Sequence, residues 1–182
     1  MERPAPRHAA VVLALALAVL AGCANSTPTG PFPPRPADID TNTVDLCTAL
    51  TPEQQDELEV GPGMAKTAEL SDGPTRICSW NNFDDGYNYS VQTLPVPAHV
   101  VVGSPGSTTH VIDGYGVVRI TDREDSTPVC ANYVDASDAF GLRIQVLLTG
   151  ASDDAENERI NEVCERSSLL TSRALRNLQR AS

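Results

Sequence analysis

Lysine is almost missing from this 182-residue chain: Lys66 stands alone against twelve arginines, and acidic side chains outnumber basic ones 24 to 13. A formal charge of −11 repels phosphates and anionic headgroups, so no nucleic acid is expected as a partner and no basic patch helps hold the protein on a membrane. Solubility is the plain reading of that charge. Aromatics are also scarce, 4% of residues with a single tryptophan. HExxH, GxSxG and CxxC are all absent, and the closest of the four cysteines beyond residue 40 are 31 residues apart. A zinc site and a thioredoxin-like redox pair are therefore disfavoured, and neither metal nor cofactor is expected. No apolar run reaches the roughly 18 residues that a membrane-spanning helix needs.

What is present begins with an export signal. Arg3 and Arg7 precede an apolar run over residues 9–21, about 20 Å long as a helix against a bilayer core of about 30 Å. Leu20-Ala21-Gly22-Cys23 closes the run and resembles the bacterial lipobox. Small residues let an extended backbone enter a peptidase cleft, and the Cys23 thiol takes up a diacylglyceryl group with its palmitate-type chains. The alternative is an ordinary secretory signal whose cysteine joins a disulfide. On the lipobox reading residues 1–22 are removed, two or three acyl chains anchor Cys23 on the extracytoplasmic face of the cell membrane, and 11 basic against 23 acidic side chains leave a formal charge of −12.

Residues 23–42 read as the lipidated cysteine and a linker. Pro28, Pro31, Pro33, Pro34 and Pro36 alternate with Ser26, Thr27 and Thr29, a composition expected to stay extended and mobile, or to serve as a glycosylated stalk. Residues 43–182 then suit one domain. Cys47, Cys78, Cys130 and Cys164 lie beyond the export signal, where two disulfides are expected.

Thr51-Pro52-Glu53-Gln54 supplies a capping box and an N1 proline, predicting a helix over about 52–60, with loop from there to residue 72. Six strands are legible, at 76–83, 87–94, 109–112, 116–121, 129–134 and 142–148. Asp84-Asp85-Gly86 and Asp113-Gly114 mark hairpin turns. An EF-hand register ending at Asp85-Gly86 fails, because Phe83 falls on a ligand position. In the last strand Leu142, Ile144, Val146 and Leu148 alternate with Arg143, Gln145 and Leu147, one face buried and the other mostly wet. A long helix closes the chain, with Asp153 and Glu156 at its start and Ile160, Val163, Cys164, Leu170, Ala174 and Leu178 along one side. Arg173, Arg176 and Arg180 at its end read as a solvated face, or more sharply as a partner-binding stripe. The fold class is α+β: an antiparallel sheet of five or six strands, packed by a short N-terminal and a long C-terminal helix, with two disulfides.

The lipobox, the Pro/Thr spacer, the Asp45-Leu46-Cys47-Thr48-Ala49-Leu50-Thr51-Pro52 stretch, Cys78-Ser79-Trp80, a strand cysteine and a last-helix cysteine together resemble a family of uncharacterised actinobacterial cell-envelope lipoproteins. The arginine-for-lysine bias suits a GC-rich genome. Membership implies an envelope lipoprotein without an assigned activity, so no catalytic residues carry over. Residues 95–106, with Pro95, Pro97 and Pro105, show no feature of that family.

Enzyme chemistry finds few candidates. His99 and His110 lie outside metal motifs, and in Gly103-Ser104-Pro105-Gly106 the proline removes the N–H that would follow a serine nucleophile. Cys23 is blocked by lipid and the other thiols are oxidised. Asp122, Glu124 and Asp125 read as solvated loop charges or a weak cation site. Trp80 shares a strand face with Cys78, which suits a core anchor packed on a disulfide, whereas exposure would make it a ligand platform. Two classes remain: a non-catalytic surface module binding an envelope ligand or partner protein, which is favoured, and an extracytoplasmic hydrolase with an unrecognised site. The four cysteines allow three connectivities. Cys47–Cys78 and Cys130–Cys164 are expected, because each would join a helical layer to the sheet.

Overall fold

The first helix is closed by reciprocal bonds. Thr51 Oγ1 accepts from the Gln54 N–H, Gln54 Oε1 accepts from the Thr51 N–H at 3.1 Å, and Pro52 occupies the first turn. This helix, α1, spans Pro52–Glu57 in a computed structural model that describes residues 30–124, 127–149 and 156–181. It ends earlier than the expected residue 60, because Glu59 turns out of the helix with a φ of 53°. A 3-10 turn at Leu46–Ala49 precedes it, its Asp45 cap accepting from the Cys47 N–H at 2.9 Å.

Seven strands follow: β1 Met64–Leu70, β2 Gly73–Asn81, β3 Tyr87–Leu94, β4 Ser107–Ile112, β5 Tyr115–Glu124, β6 Thr127–Val134 and β7 Gly141–Leu148, before the long helix α2, Glu156–Ala181. They form one antiparallel sheet in the order β1-β2-β3-β7-β6-β5-β4. Two meanders therefore meet where β7 pairs with β3. Among the described residues the α+β class with two helices and two disulfides stands, and the strand number is corrected from five or six to seven. The added strand is β1, in a stretch expected to be loop. It lies at the edge and is exposed along its whole length, so no alternation of apolar and polar residues marks it.

Both hairpin turns have local causes. Asn82 Oδ1 accepts from the N–H groups of Asp84 and Asp85, Asp85 Oδ1 accepts from Tyr87, and Gly86 takes a φ of 80°. Asp113 and Gly114, with φ of 48° and 84°, make the paired left-handed step that a tight hairpin requires.

One face of the sheet carries the core. Val163, Leu170, Ala174, Leu175 and Leu178 of α2 pack over Val91, Val134, Leu142, Ile144 and Val146, all buried. A buried amide fixes the register of helix on sheet: Asn132 Nδ2 donates to Ser167 Oγ at 3.1 Å and Thr171 Oγ1 at 2.9 Å. The disulfides Cys47–Cys78 and Cys130–Cys164, with Cα separations of 5.3 and 5.1 Å, tie the first turn and α2 to β2 and β6. This is the expected pairing. Asp153 of the expected helix cap lies outside the described residues.

The spacer departs from its composition. Phe32 and Ile39 are buried, at 8% and 0% exposure, the Ile39 N–H donates to the Ala136 carbonyl at 3.0 Å, and Arg35 pairs with Asp38, Asp135 and Asp138. The prolines leave few donors to satisfy, and the two apolar residues between them supply the burial that the average composition hides. Residues 30–42 therefore belong to the folded body and are not a mobile linker. No described helix is long and apolar enough to cross a membrane.

Candidate functional site: the open face of the sheet

The face of the sheet turned away from α2 is covered only in part. Phe32, with the 3-10 turn Ala98–Val101, packs over Val118, Ile120 and Tyr133, and Gly116 exists there because any Cβ would sit 2.3 Å from the Phe32 ring. No described residue outside the sheet lines the groove on the half built by β1, β2, β3 and β7.

Register aligns this half into cross-strand rows. Lys66 pairs with Ile77, Ile77 with Gln92, Gln92 with Arg143, and Arg143 with Tyr133. The next row runs Met64, Ser79, Ser90, Gln145, and the one beyond it Asn81, Asn88, Leu147. These side chains line a shallow groove of about 350 Å³ that contains Lys66 and Arg143 but no carboxylate. In a chain of charge −11, that is a local reversal of sign.

Hydrogen bonding within the groove is incomplete. Asn88 donates to Asn81, yet Gln145, only 9% exposed, has a buried Oε1 without a partner, and Arg143 Nε is buried without one too. A buried acceptor or donor left unmade costs about 1–3 kcal/mol, a cost that a polar guest would recover if a small side-chain shift let it reach these enclosed atoms. Arg143 also lies 6.0 Å from the Tyr133 ring centre, which holds the guanidinium at the edge of the open half.

Other grooves are less poised. Beside β1 and β2, Arg76 donates to the carbonyls of Thr41 and Val44, so its charge is already engaged. Near the spacer, burial raises the Asp135 carboxyl above the usual carboxylate range against the pull of Arg35, in a groove with His99 and Asp138.

The residues singled out in the sequence scatter. Cys23 lies outside the described residues. Trp80 is fully buried, and a Cβ at Gly63 would strike both its indole and the Cys78 sulfur, so it is a core anchor and not a platform. His99 is exposed on its turn. His110 Nε2 lies 2.8 Å from Thr108 Oγ1 on the helix side of β4, its imidazole held below its ordinary pKa by burial and then by Arg119. Ser104 sits in the turn before β4, its carbonyl accepting from Ser107. Asp122 and Glu124 belong to β5 and not to a loop; Asp125 lies outside the described residues. Among the described residues no three His, Cys, Asp or Glu side chains group as metal ligands. Two of the arginines read as solvated are paired, Arg173 with Glu57 at 2.6 Å and Arg176 with Asp113 at 3.3 Å.

Gln145, Ser79, Gln92 and Lys66 were not legible as a site. Arg143 and Gln145 read only as the wet side of β7. The available signal was the amide and hydroxyl residues alternating through β2, β3 and β7, where a merely solvated face more often carries charges of both signs.

A family model described as a protein of unknown function, DUF3558, matches residues 18–177. The chain belongs to the DUF3558 family. All five cysteines of this member fall inside the matched stretch, as does the whole polar groove. Comparison with curated proteins finds no match, and comparison with solved structures finds none either.

Proposed function

We propose that this DUF3558 protein is a lipid-anchored module on the extracytoplasmic face of the cell membrane, that it binds an envelope ligand without transforming it, and that the open sheet face is where the ligand sits. Anchoring rests on Leu20-Ala21-Gly22-Cys23 behind a charged-then-apolar leader. The binding reading rests on one observation: the buried, unpartnered Oε1 of Gln145 in a groove open to solvent.

The groove is shallow, and amides, hydroxyls and two cations stand among the apolar Met64, Ile77 and Leu147, a set that holds a ligand by complementarity. The hydrolase alternative would have to draw on His110, which faces the opposite side of the sheet, or on His99, which lies in a separate groove with Asp135 and Asp138. Mass spectrometry of molecules that co-purify with the mature protein from its native envelope tests the proposal. Recovery of a defined ligand from the wild type, and its loss from Gln145→Leu, is the expected result. Equal recovery from both would move the site elsewhere.

A further inference from the structure

We infer that the ligand of the open face is an anionic oligosaccharide, a hydroxylated chain carrying carboxylate or phosphate groups. This rests on the binding reading above and narrows it to a ligand class.

Three observations carry it. First, the cations are placed at intervals. Lys66 and Arg143 occupy one cross-strand row, separated by three inter-strand steps, about 14 Å. A single small anion cannot touch both, whereas an extended chain with spaced acid groups can. Second, the ground between them is uncharged, with Ile77 and Gln92 standing between the cations in their own row. Ser79, Ser90 and Gln145 form the adjoining row, giving donors and acceptors about 5 Å apart across strands and about 7 Å along them. That is the scale of single sugar rings, each presenting several hydroxyls. Third, the unmade bonds ask for both signs of partner: Gln145 Oε1 needs a donor and Arg143 Nε an acceptor. A hydroxyl satisfies the first, and an acid oxygen satisfies the second.

An acidic peptide is the competing occupant. It would satisfy Arg143 and Lys66, but its side chains would look for apolar pockets, and Met64, Ile77 and Leu147 lie in three different rows of the groove with polar residues beside them. Carboxylate and phosphate sources of the anionic saccharide share the same chemistry here and are separated by experiment.

The test is calorimetric titration of the chain from Ala24, which contains every described residue. The probes are a uronic-acid tetramer, a glycerol-phosphate oligomer, a neutral glucose tetramer and a polyglutamate of similar length. Binding of one or both saccharide-type anions, at least tenfold tighter than the neutral tetramer and the polyglutamate, is expected. It should weaken with added salt and fall about 10- to 100-fold in Arg143→Gln, the loss typical of a charged hydrogen bond. Whichever anion binds identifies the source. Lys66→Gln, on an exposed edge strand, should weaken binding without altering the fold, and unchanged melting curves guard against misfolding. Equal affinity for the neutral tetramer, or preference for polyglutamate, overturns the ligand class while leaving a binding face in place. No binding of either anionic saccharide also overturns the class, and ligand recovery from the envelope then judges the binding reading separately.

Discussion

Ile39 donates its backbone N–H to the Ala136 carbonyl at 3.0 Å while its side chain is fully buried in the main core. A residue from the proline-rich spacer is thereby fastened to the connection between β6 and β7. Together with Phe32 on the other face of the sheet, it makes residues 30–42 a strap around the domain. Deleting residues 30–40 should therefore lower the melting temperature by several degrees or more. Ile39→Ala alone should cost about 2–5 kcal/mol, the range for emptying a buried aliphatic site. Thermal and urea unfolding measure both; a deletion that melts like the full chain would show that the strap contributes nothing.

The two disulfides act on the same layers. Cys47–Cys78 and Cys130–Cys164 close loops of 31 and 34 residues, each worth about 3–4 kcal/mol by chain entropy. Replacing Cys130 and Cys164 together with alanine should lower the unfolding free energy obtained from urea titration by that amount, a large share of ordinary domain stability. Non-reducing peptide maps of protein taken from the envelope should recover these two pairs; a Cys47–Cys164 peptide would overturn the layering.

Features with a local cause were legible. The capping box at Thr51, the hairpin turn at Asp84-Asp85-Gly86, and the apolar stripe of α2 are written in residues a few positions apart. Strand β1 was not, because Lys66 and its neighbours bury nothing and so need no alternation. The strap was not, because its anchoring depends on Gly114 and Gly116, far along the chain, leaving room for Pro36 and Phe32. The polar groove was not, because a wet strand face looks the same in sequence whether it meets water or a ligand. What distinguishes it is the register that brings Lys66, Gln92 and Arg143 into one row, and register follows from the pairing of four strands.

Asp135 gives a pH-dependent expectation. Burial is the dominant cause of its raised pKa, opposed by Arg35, reinforced by Asp138 and Asp38, and opposed more weakly by His99. The folded state then holds this proton more tightly than the unfolded state. Its contribution to stability is full below the ordinary carboxylate range and declines as pH rises through the higher folded value. Asp135→Asn removes the titration, so the variant should gain stability relative to the wild type as pH increases from about 4 to 7. Melting curves across that range check it. A difference that is constant with pH would mean that Asp135 does not titrate differently on folding, and a difference of opposite slope would mean that the Arg35 pair outweighs burial.

The strap also changes how far the domain can stand from a membrane. On the proposed anchoring, a spacer free from Cys23 to Asp40 would reach tens of ångströms, but with residues 30–42 packed, only residues 23–29 are left as tether. Seven residues span at most about 25 Å when fully extended. The folded body should therefore ride close to the headgroups, and its negative charge should keep it from lying flat on anionic lipid. Energy transfer between a dye placed at exposed Val111 and a labelled lipid should be strong in the lipidated protein. It should drop when a flexible segment of about 20 residues is inserted between residues 29 and 30, and vanish in Cys23→Ala, which should also leave the detergent phase. Equal transfer with and without the insertion would show that the tether does not set the height, and detergent partitioning of Cys23→Ala like that of the wild type would remove the lipid anchor itself.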